Sequence, residues 1–320
     1  MKDYQTNPQQ PLRVVTVGVG AVGGFYAAQL HRAGADVALM CRSDLAVVRQ
    51  RGLLIHQASG TFHFKPRQVI GQAHEYQGEA DVVFIALKAL PEIHLQTLIA
   101  PLLSPHTVLF LLQNGIDVEK PLQAAFPHHE LISGLAFTCL NRTAPGEITH
   151  LDYGRLVIGP YPAGESEMAD RLAVLFEKAG IPCRVSQQVA GERWRKLVWN
   201  APYNPISVLA QATTRQIMEE PAAALLARQV MEEVLQIAAA EGYPLSEEVV
   251  ERNLTDTLKM TPYRTSMLLD YEEGRALEVE AILGTPLALA RKHQLATPHM
   301  ATLYALLKII DRKRNPEQTP

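Results

Sequence analysis

The sequence predicts an α/β fold, in which an N-terminal doubly wound sheet is followed by a C-terminal all-α domain. Three observations predict this arrangement. A strand, a glycine-rich turn, a helix and a second strand follow one another from Arg13 to Arg42, strand and helix patterns continue to alternate beyond it, and the chain after Gly191 is almost wholly helical. With 320 residues, 47% of them hydrophobic, the chain can bury two cores, so we expect two domains.

The first strand and helix carry the most specific motif. β-branched valines precede the turn, and an amphipathic helical pattern follows it over residues 21–33. Between them, Gly18, Gly20 and Gly23 form the pattern G-x-G-x-x-G. Gly18 permits a tight turn, Gly20 lets the backbone approach a pyrophosphate, and Gly23 allows the helix to pack near the strand. The N–H groups of the first helical turn, which includes Ala21 and Val22, suit an anion, so the unit predicts a Rossmann-type dinucleotide site.

The end of the second strand indicates which dinucleotide is bound. An NAD site usually places Asp or Glu there to hold the ribose 2′-hydroxyl, whereas this chain has Met40, Cys41, Arg42 and Ser43. A guanidinium makes planar, charge-assisted contacts with a phosphate, so Arg42 favours NADP(H) over NAD. The alternative is that Arg42 is a solvated surface residue and that Asp44 only caps the next helix.

Two further strands of the sheet are predicted over residues 80–88 and 107–115, with a helix beginning near Pro91 between them. Parallel sheets bind ligands beyond the carboxyl ends of their strands, where Lys88 and Asn114 fall together with the glycine turn. These two side chains are therefore candidate site residues. Alternatively, Lys88 is a solvated loop lysine, and Asn114 only begins the Asn-Gly turn that it forms with Gly115.

After about residue 131, the alternation of strand and helix patterns gives way to short apolar runs. Short apolar runs over 131–139, 146–151 and 155–159 predict antiparallel strands that extend the sheet, followed by a helix near 165–179. Apolar residues at three- and four-residue steps then predict a helical domain. Its predicted helices span residues 222–241, 247–260, 277–293 and 298–312. The predicted boundaries are a mobile tail over 1–12, a dinucleotide-binding domain over 13–188, a helical substrate and catalytic domain over 189–314, and a tail over 315–320.

A second dense signal lies in the segment 191–207, where Lys196, Asn200 and Asn204 are spaced by four residues. Helical spacing places one ammonium and two carboxamides on a single face, which suits a small polar substrate beside a cofactor. The alternative is a solvated polar face with Trp194 and Trp199 as core anchors on the other side. Pro202 lacks an N–H group, and we expect it to bend or end this helix.

Composition excludes several classes of protein. A formal charge of −3 and a pI near 6.4 argue against a general nucleic-acid binder, and the apolar runs are too short to span a membrane. The three cysteines lie far apart, without C-x-x-C spacing or neighbouring histidine ladders, so neither a disulfide framework nor a metal site is expected. We therefore expect a cytoplasmic protein whose partner is a small-molecule substrate.

Several separate motifs, taken in order, resemble those of the ketopantoate reductase (2-dehydropantoate 2-reductase) family. They are GVGAVGG, Leu87–Lys88, Gln113–Gly115, WRKLVWNAPYNP, Ser266–Leu268 and LEVEAILG. Any one of these motifs is common, whereas the ordered set is specific. The resemblance runs from the glycine turn to nearly the end of the chain.

The resemblance implies roles for individual positions. Lys196 and Glu278 match the family's catalytic residues, and Asn114 matches the asparagine where cofactor and substrate meet. The positions matching substrate-contacting residues are Asn114, Lys196, Asn200, Asn204 and Ser266, and those matching cofactor-binding residues are Gly18, Gly20, Ala21, Val22, Gly23, Arg42, Lys88, Asn114 and Glu278. Glu280 is a rival to Glu278 two residues along the chain, and Ser266 would otherwise be interpreted as a helix cap.

The implied activity is NADPH-dependent reduction of 2-dehydropantoate to pantoate, in pantothenate biosynthesis. We also expect the protein to form a homodimer. Lys196 would supply the proton for the ketone oxygen. Two alternatives remain, namely a reductase of another branched 2-oxo acid and a non-catalytic NADP(H)-sensing protein. Candidate residues for tuning the substrate side chain are Tyr203, Tyr263 and Met267.

Overall fold

The structure is a computed structural model that describes residues 10–314, and the chain divides into two units. The described part of unit 1 consists of residues 10–88, His94–Gln113 and Glu119–Val189, and that of unit 2 consists of Ala89–Ile93, Asn114–Val118 and residues 190–314. Two short loops that follow strands of unit 1 therefore belong to unit 2. Residues 1–9 and 315–320 of the predicted tails lie outside the described residues, and Leu12 is buried in the core of unit 1.

Within residues 10–189, unit 1 contains a ten-stranded sheet. Its strands are β1 (Arg13–Val17), β2 (Asp36–Met40), β3 (Leu53–Gln57), β4 (Gly60–Phe64), β5 (Val69–Ile70), β6 (Val82–Ile85), β7 (Val108–Leu111), β8 (Leu131–Ala144), β9 (Glu147–Pro160) and β10 (Cys183–Val185). They are ordered β4-β3-β9-β8-β7-β6-β1-β2-β5, and β10 pairs with β9. The strands from β8 to β5 pair in parallel, which is the doubly wound order 3-2-1-4-5-6 and confirms the predicted fold class.

The central strands are short apolar runs buried on both faces, as expected for a parallel sheet covered by helices. The helices of unit 1 are α1 (Ala21–Arg32), α2 (Leu45–Arg51), α3 (Leu95–Ile99), α4 (Lys120–Ala125) and α5 (Glu167–Lys178). In the core, the rings of Phe84 and Phe110 stack with centroids 4.9 Å apart. The buried Tyr26 hydroxyl donates to the carbonyl of Gly154 at 3.0 Å, which ties α1 to β9.

The antiparallel extension of the sheet was predicted, although its form differs. The separate short runs belong to two 14-residue strands, β8 and β9, which pair along their length. Irregularities in the register follow Phe137, Cys139 and Arg142, so the apparent breaks in the sequence are bulges within a hairpin. The hairpin of β3 and β4 was not predicted, although its two-residue connection and the positive φ of Gly60 are typical of a tight turn.

The helix predicted to begin near Pro91 begins at Leu95 instead. Leu90–Ile93 forms a turn, in which the N–H of Ile93 donates to the carbonyl of Leu90 at 3.1 Å. This stretch belongs to unit 2, whereas α3 belongs to unit 1.

Unit 2 is helical, as predicted. Its helices are α6 (Val189–Ala210), α7 (Thr214–Glu219), α8 (Pro221–Ala240), α9 (Glu248–Lys259), α10 (Ser266–Glu272), α11 (Thr285–Lys292) and α12 (Pro298–Arg314), and a π-helical turn, Glu280–Gly284, precedes α11. Their apolar faces enclose a core that includes Trp194, Tyr203 and Met231. Within residues 10–314, no helix is long and apolar enough to cross a membrane.

The structure corrects two expectations about these helices. Helix α6 continues through Pro202 and Pro205 to Ala210, so the prolines do not end it. The single helix predicted over 277–293 is instead the π-helical turn followed by α11. Pro286 lacks an N–H group and would clash with a carbonyl four residues earlier in a regular helix, which accounts for the widened turn before it.

Candidate active site

The glycine turn between β1 and α1 has the geometry that its spacing predicted. Gly18 has φ +97°, and a Cβ there would lie 2.8 Å from the backbone nitrogen of Leu87. A Cβ on Gly23 would collide with the carbonyl oxygen of Gly18, so this glycine lets α1 pack against the turn. Among the described residues other than its neighbours in the chain, a Cβ on Gly20 would meet no atom within 4 Å. The turn is therefore closed on the protein side and open at Gly20.

The N-terminus of α1 is suited to an anion. Gly20 is its N-cap and supplies no side chain, and the first turn carries no acidic residue. The N–H groups at the start of a helix, here those of Ala21, Val22 and Gly23, have no partner within the helix, and the helix dipole adds partial positive charge. The residues present thus fit the pyrophosphate of a dinucleotide.

In the segment after β2, Arg42 and Asp44 differ in their exposure to solvent. Arg42 is exposed, whereas Asp44 is 6% exposed and accepts hydrogen bonds from Arg142 Nη1 and from the N–H of Gly146, both at 3.0 Å. Asp44 is the N-cap residue of α2, but its side chain makes no capping hydrogen bond, so that part of the alternative interpretation was wrong. Burial raises the pKa of Cys41 to about 12, which keeps this neighbour of Arg42 an uncharged thiol.

Lys88 is half-buried and follows β6. Beside it, the side chain of Gln113 donates from Nε2 to the carbonyl of Leu87 at 2.7 Å, which joins the segments that leave β6 and β7. The two motifs Leu87–Lys88 and Gln113–Gly115 thus meet within the fold.

Unit 2 brings three sequence-predicted residues together. Lys196 Nζ donates to Asn114 Oδ1 at 2.7 Å, and Asn114 Nδ2 donates to Glu278 Oε2 at 3.4 Å. The backbone N–H of Ala89 donates to the other oxygen of Glu278 at 2.9 Å. The carboxamide therefore joins an ammonium on α6 to a carboxylate just before the π-helical turn. All three side chains are half-buried.

Glu280 is held elsewhere in unit 2. Its carboxylate accepts hydrogen bonds from the Tyr304 hydroxyl at 3.0 Å and from Lys308 Nζ at 2.7 Å, both on α12. Glu278, and not Glu280, is therefore the carboxylate that is hydrogen-bonded to Asn114.

The loop that carries Asn114 has two supports that the sequence did not single out. Arg193 Nη1 donates to the carbonyl of Gly115 at 3.1 Å, and Arg193 is 3% exposed. Gly115 has φ +107° and lies against Ala281 of the π-helical turn. The Asn-Gly pair was a signal for the turn, whereas the arginine gave none because helices commonly carry charged residues.

The polar face of α6 is not a solvated stripe. Asn200 is 7% exposed and Asn204 is 3% exposed, while Trp194 lies in the core as expected. Asn204 Oδ1 is buried and has no hydrogen-bond partner among the described residues. Buried polar atoms are nearly always paired, so this oxygen is a candidate ligand contact.

Ser266 is exposed and begins α10, but it does not cap that helix. Thr265 is the cap, with its hydroxyl accepting the N–H of Leu268 at 3.2 Å. The Thr265 hydroxyl also lies 2.6 Å from that of Ser207 on α6, three residues after Asn204. The start of α10 is thereby fixed beside the asparagine-bearing part of α6.

Of the residues considered for substrate selection, two belong to the core of unit 2. Tyr203 is fully buried and donates its hydroxyl to Met218 Sδ at 2.9 Å, and Met267 is 3% exposed. Tyr263 is half-buried. Among the described residues, no group of three His, Cys, Asp or Glu side chains is placed to hold a metal ion.

Comparison with known proteins gives matches over both units. Residues 14–163 match the family described as ketopantoate reductase PanE/ApbA, and residues 188–311 match the family described as its C-terminal region. A 2-dehydropantoate 2-reductase of Nostoc sp. is 38% identical over 94% of this chain and 96% of its own. One from Mesorhizobium japonicum is 30% identical over 93% of this chain and 97% of its own.

Solved structures agree with the sequence matches. The 2-dehydropantoate 2-reductase of Methylococcus capsulatus superposes with a TM-score of 0.89 at 40% identity, covering 95% of this chain and 98% of its own. A structure of D-mandelate dehydrogenase with NADH and anilino(oxo)acetate has a TM-score of 0.86 at 20% identity, covers 95% of this chain and all of its own, and is similar in fold alone. From its two family matches and these relatives, the chain belongs to the ketopantoate reductase family.

Proposed function

We propose that the protein is an oxidoreductase that reduces 2-dehydropantoate to pantoate with NADPH, in the formation of pantothenate. The observation that carries the proposal is the contact of Lys196, Asn114 and Glu278 in unit 2. It places a proton donor in a chain that belongs to a family named for that reaction. The glycine turn of unit 1 supplies the fit for a dinucleotide.

Lys196 is the proposed proton donor. NADPH, when bound, would supply a hydride, and negative charge would develop on the ketone oxygen of the substrate as its carbon accepted that hydride. An ammonium has three N–H donors, and Lys196 directs one of them to Asn114 Oδ1, which orients the group. A second N–H aimed at the ketone oxygen would stabilise the developing charge and then give up its proton.

Asn114 and Glu278 orient the lysine. The Asn114 carboxamide presents its oxygen to Lys196 and its nitrogen to Glu278. Glu278 also accepts the N–H of Ala89 at its other oxygen, which fixes the position of the carboxylate. A carboxylate fixed in this way keeps the Asn114 oxygen turned towards the ammonium.

Asn200, Asn204 and Ser266 are the proposed substrate contacts. Lys196 and Asn204 are two helical turns apart, about 12 Å along α6, which spans a short hydroxylated acid and the side chains that reach it. The buried Oδ1 of Asn204 requires a hydrogen-bond donor, and a substrate hydroxyl would supply one. This favours a hydroxylated 2-oxo acid over a purely apolar one.

NADP(H) is proposed over NAD(H) because of the segment after β2. The carboxylate of Asp44 is buried and engaged by Arg142 and Gly146, whereas Arg42 is exposed. A cation there suits the 2′-phosphate. Arg42→Ala should raise the Kd for NADPH about tenfold or more, through loss of a charge-assisted hydrogen bond, and leave that for NADH unchanged. Arg51→Ala is a control on the same unit, and equal use of both cofactors by the wild type would refute the choice.

The activity is tested by NADPH consumption with 2-dehydropantoate and a panel of branched and aromatic 2-oxo acids. We expect 2-dehydropantoate to have the highest kcat/KM, and Lys196→Ala to lose about 100-fold or more of kcat, the contribution typical of a general acid. Preference for another acid would favour a different reductase. Binding of NADPH without turnover of any acid would favour a sensing protein. A cytoplasmic location and a homodimer stay predictions.

A further inference from the structure

Asn114 lies on the loop Asn114–Val118, although it joins two side chains on other segments of unit 2. A loop side chain keeps its place only where its backbone is held. We propose that Arg193 is a positioning residue, whose buried guanidinium fixes the Asn114–Gly115 peptide and thereby the contact of Asn114 with Lys196. The kinetic part of this inference rests on the proposed function.

The first support is that α6 donates hydrogen bonds to the loop Asn114–Val118 from two side chains. Arg193 and Lys196 are three residues apart on α6, so they lie on neighbouring turns of the same face. Arg193 donates to the carbonyl of Gly115 at 3.1 Å, and Lys196 donates to the side chain of the preceding residue at 2.7 Å. A shift of this peptide would therefore change the contact made by the lysine.

The second support lies on the other side of the loop. A Cβ on Gly115 would be 2.7 Å from the Cβ of Ala281 and 2.8 Å from its carbonyl oxygen, so the loop touches the π-helical turn. The N–H of Ile116 donates to the same carbonyl at 3.4 Å. Glu278 lies two residues before the start of this turn. The loop is thus held between the helix that carries the proposed acid and the turn that follows the carboxylate.

Burial makes the arginine contact consequential. Arg193 is 3% exposed, so water would not readily replace its hydrogen bond to Gly115. Without it the peptide loses its backbone contact with α6, and Asn114 can move away from Lys196. A misplacement of about 1 Å at an active site can cost about 100-fold in rate.

The test compares Arg193→Met with Arg195→Met. Arg195 is on the same helix, but its side chain is 53% exposed. Its Nε atom lies 3.7 Å from Oε2 of Glu192. We expect Arg193→Met to lower kcat about 10- to 100-fold with the KM for NADPH changed less than about threefold, and Arg195→Met to match the wild type. Arg193→Lys, which keeps a donor, should recover part of the loss. A kcat for Arg193→Met within twofold of the wild type overturns the proposal.

A double-mutant cycle separates positioning from general stabilisation. If Arg193 acts through Asn114, Arg193→Met should have little further effect on kcat in an Asn114→Ala background. Multiplication of the two losses would show that Arg193 acts independently of that side chain, and would also overturn the proposal. Where Arg193→Met does not fold, the same cycle is run with Arg193→Lys.

Hydrogen exchange tests the proposal without turnover. The N–H of Ile116 should exchange about tenfold or more faster in Arg193→Met, or in Arg193→Lys if that variant is needed, than in Arg195→Met. Unchanged exchange at Ile116 would contradict the positioning role. If the wild type reduces no 2-oxo acid, the proposed function fails, while this measurement still decides whether Arg193 holds the loop.

Discussion

Replacing Gly20 by alanine separates cofactor binding from stability. Gly20 is the N-cap of α1, with φ −84° and ψ −165°, a conformation open to any residue. A Cβ there meets no atom within 4 Å from the part of the chain that the structure describes, its chain neighbours aside. If this open space receives the pyrophosphate, the added methyl group would obstruct the ligand and nothing else.

The magnitudes follow from this geometry. A Gly-to-Ala change gains up to about 1 kcal/mol through the unfolded chain, and alanine is a poorer N-cap by a comparable amount, so the free energy of unfolding should change by less than about 1 kcal/mol. Loss of one charge-assisted hydrogen bond to phosphate costs about 2 kcal/mol, which raises the Kd for NADPH about 30-fold. Binding should therefore weaken with the Tm shifted by less than about 4 °C.

The assay is titration of NADPH by fluorescence or calorimetry, with thermal unfolding of the apoprotein measured in parallel. Gly23→Ala is the matched control, because its Cβ would collide with the Gly18 carbonyl and lie 2.9 Å from the Cβ of Ala86. That variant should lose about 1–3 kcal/mol of stability as well as cofactor affinity. A wild-type Kd for Gly20→Ala would refute the placement of the dinucleotide at this turn.

Three further predictions concern stability and the site. Gly115→Ala should lower kcat at least tenfold, because its Cβ would crowd Ala281 and its φ of +107° disfavours a side chain; a wild-type kcat would contradict the close packing of this loop. Tyr26→Phe should lower stability by about 1–2 kcal/mol in denaturant unfolding, since the Gly154 carbonyl loses a buried donor, and a neutral effect would contradict that role. Burial raises the pKa of Glu241, but hydrogen bonds from His293 and Lys292 outweigh burial and lower it overall. The stability from Glu241 is thus present above the ordinary carboxyl pKa of about 4.3 and lost as the pH falls through the lower folded value, so Glu241→Gln should lose less Tm between neutral and acid pH than the wild type.

Much of the fold could be predicted from local pattern. Buried β-branched runs and a glycine turn identify β1, α1 and β2, because each residue's role there depends on near neighbours in sequence. The same holds for the separation of Lys196 and Asn200 by one helical turn. Bulges in β8 and β9, and the passage of α6 through Pro202, depend on packing against distant segments, so the sequence pattern alone misjudged them.

The candidate site was predicted less evenly. Side chains such as Lys196 and Glu278 belong to recognisable motifs, and the structure places both in contact with Asn114. The Ala89 N–H that binds Glu278 belongs to the backbone, which carries no residue-type signal. The hydrogen bond from Arg193 to Gly115 joins positions 78 residues apart, and the periodicity of the sequence cannot detect a contact of that range.

The most direct test of the account is a crystal structure of the complex with NADP⁺ and pantoate. The account predicts that Lys196 Nζ lies within hydrogen-bond distance, about 2.7–3.2 Å, of the C2 hydroxyl oxygen of pantoate. If another group occupies that position while the ammonium of Lys196 points into solvent, the assignment of the proton donor is contradicted.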